Sequence, residues 1–146
     1  MMSEIIESLA IDIKEKEYRP IEVFKDKEQL KDCLEWWQDK LGLGDWIIKV
    51  DKEPEDTGED GFINFVHERK SAQIIIADNK NIPRIGRYCE EETLCHELLH
   101  CLYAWMEPSS SYEGVFLAQM EHQRLDDLAK TLIMVKYNLS LDWWRV

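Results

Sequence analysis

Two imidazoles and a carboxylate fall together at His96, Glu97 and His100, in the order His-Glu-Leu-Leu-His. On a helix each residue turns about 100°, so side chains four apart share a face and both rings can reach one ion. Glu97 lies about 100° round from His96, off the ligand face yet able to touch a water on that ion. The chemistry this trio suits is attack by a metal-activated water, with Glu97 as general base. Burying the same three groups in an apolar helix with no metal or partner would be costly.

A zinc ion that does chemistry commonly has three protein ligands and an open position for water, so a third ligand must come from another element. Glu121 falls in a stripe with Leu117, Leu125, Leu128 and Leu132 at helical spacing. A carboxylate on such a face needs a reason, and Glu121 is the expected third ligand. Its neighbour His122, about 100° round, is the rival. The fourth histidine, His67, stands near a strand end and is expected at the surface.

These residues need two helices to carry them. Glu90, Glu91 and Glu92 stand where the first would begin, favouring the positive end of its dipole. Leu94, Leu98, Cys101 and Trp105 then form its stripe, with Leu99, Leu102 and Met106 beside it, so this helix is expected to be central. Pro108 closes it, and Ser110 with Glu113 makes a capping box for a last helix running from Ser111 towards Asn138. Upstream, Asp26 caps an N-terminal helix with Leu30, Cys33, Leu34 and Trp37 buried, and Gly42 and Gly44 end it. Three strands are expected at residues 46–50, 62–66 and 72–77, in one small sheet. The acidic stretch 53–61 between the first two reads as a solvated loop, since EF-hand spacing is absent. Residues 1–25 form an N-terminal extension, with Ile5, Ile6, Leu9 and Ile13 at helical spacing, and residues 139–146 a tail whose Trp143 and Trp144 pack on the domain.

The motif on one helix, with a Glu about twenty residues later on the next, resembles the gluzincin metallopeptidases, and above all their small ImmA/IrrE-like and minimal thermolysin-like forms. The likeness spans about residues 62–132 and is most specific in ETLCHELLH. It implies an α+β zincin-like fold, Zn2+ held by His96, His100 and Glu121, Glu97 as the base, and hydrolysis of a peptide or protein substrate. By strand order it makes residues 62–66 the rim of the substrate cleft, open to backbone pairing. Two positions depart from the pattern. Leu99 stands where many ImmA/IrrE-like members have Gly, and Leu125 stands where thermolysin-like members often have an Asp that orients a His, with Asp126 next. Candidates to stabilise the oxyanion are Tyr103, Tyr112, His122 and Tyr137.

Composition narrows the alternatives. One domain spanning residues 1–146 suits a chain of 146 residues, and a net charge of −12 repels nucleic acid. No stretch approaches the apolar length of a membrane span. Met1 to Ala10 lacks the basic flank and apolar run of an export signal, which makes the cytoplasm the expected compartment. Cys33, Cys89, Cys95 and Cys101 form no CxxC pair and are expected to pack as small apolar side chains. The rival readings are a regulatory, phage-type module that keeps the fold and even the metal but cuts nothing, and a protein-binding surface in which the motif is chance.

Overall fold

The structure is a computed structural model that describes residues 18–103 and 112–145, with the side chains of its last helix described from residue 119. The expectations that rest on residues 1–17, Trp105, Met106, Pro108, Ser110 and the side chains of Tyr112, Glu113 and Leu117 lie outside the described residues. Helix α1 (Lys27–Lys40) opens at Asp26, whose Oδ1 accepts from the Gln29 backbone N–H at 2.7 Å. Its buried face is Leu30, Cys33, Leu34 and Trp37, as the spacing predicts. The helix ends at Leu41, and Gly42 follows with φ +71°, a left-handed turn that glycine makes without strain.

Strands β1 (Ile47–Glu53), β2 (Gly61–Val66) and β3 (Ser71–Ala77) form one mixed sheet in the order β1-β3-β2. A short 3-10 turn at His67–Arg69, closed by Lys70 in the left-handed region, reverses the chain so that β2 and β3 pair antiparallel. This leaves β1 to pair with β3 in parallel, Val50 opposite Ile74. The last four residues of β3 are buried on both faces, which accounts for an unbroken apolar run where half-buried strands alternate.

Helix α2 (Glu90–Leu102) packs on β2 and β3 with its apolar faces and on α1 and α3 (Tyr112–Tyr137) beside them. Leu94, Leu98, Leu99, Ile74, Ile76, Ala129 and Ile133 form the centre of the core. The architecture is therefore α+β, with three helices and a three-stranded sheet among the described residues. All four cysteines are free and buried, in line with packing roles. The tail is a 3-10 turn at Leu141–Arg145. The Arg87 guanidinium donates to the Trp143 carbonyl at 2.7 Å and lies over the Trp143 ring, while Trp144 packs against the core. Among the described residues no helix is long and apolar enough to cross a membrane.

The start of α2 has a second use that dipole reasoning does not predict. Cys89 offers no side-chain cap, and the backbone N–H groups of Glu90 and Glu91 donate to the carbonyls of Glu22 and Ile21, both at 3.0 Å. In return the carboxylates of Glu90 and Glu91 accept from the backbone N–H groups of Phe24 at 2.7 Å and Ile21 at 2.9 Å. Both glutamates are fully buried. They clamp the segment before α1 onto α2.

Candidate metal centre

Helix α2 presents His96 and His100 one turn apart, with ring centroids at 5.1 Å. From α3 the His122 ring meets them, 4.5 Å from His96 and 5.8 Å from His100. Each of the three rings offers one nitrogen, and these nitrogens lie within 4.8 Å of one another. His96 is buried, His100 half-buried and His122 exposed, so the group opens from the core to solvent.

Neither candidate ligand group among the described residues includes Glu121; the ring that meets His96 and His100 from this helix is its rival, His122. The reason is the phase of α3. Among its described side chains, from residue 119 on, the buried ones are Leu125, Ala129, Ile133 and Tyr137, not a line through Leu128 and Leu132, which are only half-buried. Counting back at about 100° per residue, His122 falls within about 20° of both Ala129 and Ile133, whereas Glu121 falls about 80° and 120° away.

A metal fits this donor set on the evidence of His96 itself. Both of its ring nitrogens are buried with no hydrogen-bond partner among the described residues. An imidazole left in that state costs roughly 1–3 kcal/mol for each unsatisfied group, and coordination of one nitrogen to an ion removes that nitrogen's share. Burial also pushes the His100 imidazole down to about 4, with His96 and His122 adding. Burial, then His96, lowers His122 as well. Neutral rings keep the lone pairs that a metal needs.

Asp126 stands beside His96, its Oδ1 3.7 Å from Nδ1, and Lys130 pairs with its other oxygen at 3.2 Å. The nearby His96 ring is the main cause that holds the Asp126 carboxyl well below the usual range. Glu92 completes a second group with His96 and Asp126, and burial followed by the Asp126 carboxylate raises its pKa well above the ordinary value. Glu92 is thus part of the centre as well as of the helix start. A sequence signal for Asp126 exists, since it lies one helical turn after His122.

Glu97 is buried beside these rings, and burial pushes its carboxyl up to about 7, with His96 opposing and Glu59 adding. It lines a cleft of about 220 Å³ whose other wall is the end of the β1–β2 loop, from Gly58 to Gly61. Gly61 is the point of closest approach: a Cβ there would lie 2.7 Å from Thr93 Cγ2 and 3.0 Å from the Ile75 carbonyl oxygen. Of the oxyanion candidates, Tyr137 is remote from this cleft, with its hydroxyl donating to Glu91 at 2.6 Å. Tyr103 packs against the core, and His122 is one of the three clustered rings. His67 is exposed, as expected.

Comparison of the chain with known protein families, curated proteins and solved structures returns no match.

Proposed function

We propose that the chain is a zinc-dependent peptidase in which His96, His100 and His122 hold the metal and Glu97 is the general base. The observation that carries this reading is the convergence of three imidazoles, one with both nitrogens buried and unpartnered, beside a buried carboxyl. When bound, zinc lowers the pKa of its water towards about 7 and polarises a carbonyl. Glu97 takes the proton from the attacking water and returns it to the leaving amine; its raised proton affinity suits both transfers. Asp126 orients the His96 ring, a positioning role that carboxylates often serve behind metal-bound histidines. Strand β2 is at the sheet edge and starts at the cleft, which supports backbone pairing with an extended peptide.

The test combines metal content with hydrolysis. Protein purified without chelator and reconstituted with zinc is expected to hold about one ion per chain. It should cut casein or mixed peptides until a chelator is added. Glu97→Gln should keep the zinc and lose hydrolysis by about 10²- to 10⁴-fold, because an amide cannot accept the proton. Loss of zinc in step with activity would make Glu97 a ligand or a structural residue. Zinc binding with no hydrolysis by the wild type would instead identify a non-catalytic metal-binding module.

A further inference from the structure

The β1–β2 loop is the most acidic stretch next to the cleft. Residues 53–61 hold Glu53, Glu55, Asp56, Glu59 and Asp60 with no lysine or arginine. Asp60 is neutralised by Arg84, whose guanidinium lies 2.6 Å away. The other four carboxylates make no ion pair with the described residues, and all four are exposed. Glu59 is the one that lines the cleft.

The floor of the same cleft independently calls for a ligand. The His96 side chain is 7% exposed and neither of its nitrogens has a hydrogen-bond partner among the described residues, and Glu92 Oε1 is buried without one. A dication on the imidazoles would place its positive charge on this floor, while the unpaired Glu59 carboxylate stands on the loop wall at the rim. A ligand that satisfies both presents a carbonyl to the floor and a cation to the wall.

We infer that the cleft takes basic peptides, seating a Lys or Arg side chain beside the bond presented to Glu97, and that Glu59 is the residue that selects for it. This rests on the reading of the cleft as a peptide site. Opposite charges across a cleft favour the matching ligand and penalise the like-charged one, so the preference is two-sided. Ionic strength weakens it because Glu59 is exposed.

Binding separates this inference from hydrolysis. Zinc-loaded Glu97→Gln protein is titrated, with fluorescence anisotropy as readout, against labelled peptides identical except for Lys, Gln or Glu on either side of the central bond. The Lys peptide should bind about fivefold tighter than the Gln peptide and the Glu peptide correspondingly weaker, with the spread shrinking as salt is added. Adding Glu59→Gln should remove most of the spread, and adding Glu59→Lys should reverse the order. Asp39→Lys, an exposed charge change on α1, should leave the order intact. Equal binding of the three peptides overturns the inference, as does an order that Glu59→Lys leaves unchanged or that Asp39→Lys alters as much. A basic preference in a wild-type protein that cuts none of these peptides upholds the inference and overturns the peptidase reading.

Discussion

His122 and Glu121 differ by one position, and among the described residues that position separates a ring grouped with His96 and His100 from a carboxylate in neither candidate group. His122→Ala should weaken zinc binding by about a hundredfold or more, since even residues that only support a ligand are worth about 10- to 100-fold. Glu121→Ala should change it by much less. Competition with a chromophoric chelator measures both, and a larger loss from Glu121→Ala would overturn the three-histidine centre. The motif on α2 was legible because its geometry is local: two rings four residues apart share a face in any helix. The third ring depends on how α3 is rotated, with Leu125, Ala129, Ile133 and Tyr137 packed against the core. An alanine is a weak signal in a stripe of leucines, so the stripe through Leu117, Leu128 and Leu132 drew the expected face towards Glu121. Asp126 drew no role from the sequence because it follows His122 by one turn and Glu121 by more.

At the scale of elements, periodicity located α1, α2, α3 and the three strands, with strand ends extended by a few residues. The order β1-β3-β2 was not legible, since nothing in the strand residues says which pair is in the middle except the buried run Ile74–Ile75–Ile76, which marks β3 in retrospect. The contact that joins the sheet to α2 was equally silent. Gly61 reads as the end of a turn-rich loop, yet its missing side chain is what lets β2 approach α2. Gly61→Ala puts a methyl 2.7 Å from Thr93 Cγ2 and tight against the Ile75 carbonyl, so β2 or α2 must shift. A loss of about 1–3 kcal/mol is expected from this overpacking, measured by urea unfolding. Thr93→Ser removes the methyl in the way and should restore part of that loss in the double variant. Gly61→Ala with wild-type stability would show that the two elements separate freely, and the cleft wall would then not be fixed by this contact.

At the scale of the whole molecule, the carboxylate that joins most elements among the described residues is Glu91, read from the sequence only as a favourable charge at a helix start. It is fully buried and accepts from the Ile21 backbone at 2.9 Å, Trp37 Nε1 at 2.9 Å, Lys136 Nζ at 2.6 Å and the Tyr137 hydroxyl at 2.6 Å. One side chain thus ties the segment before α1, α1 itself and the end of α3 to α2. Glu91→Gln keeps the shape but removes the charge opposite Lys136 and turns one acceptor into a donor among donors. Breaking a buried ion pair in this way costs about 3–5 kcal/mol, and Lys136 remains partly solvated and stacked 3.8 Å from the Trp36 ring, which points to the lower end. That is a large share of the roughly 5–15 kcal/mol that holds a domain together. A metal on the histidine group would act on a different part of the structure: Glu91 lies five residues before His96, about 140° round the helix from it. Ligand that binds only the folded chain adds about 4 kcal/mol at a thousandfold excess over its Kd, so zinc should raise the unfolding midpoint of wild type and of Glu91→Gln alike. The two effects should add, as they do for sites without shared partners. Urea unfolding of both proteins with zinc and with chelator checks this, and a Glu91→Gln protein that is as stable as wild type, or that no longer responds to zinc, would show that the clamp and the metal centre are not the independent supports that their placement on α2 implies.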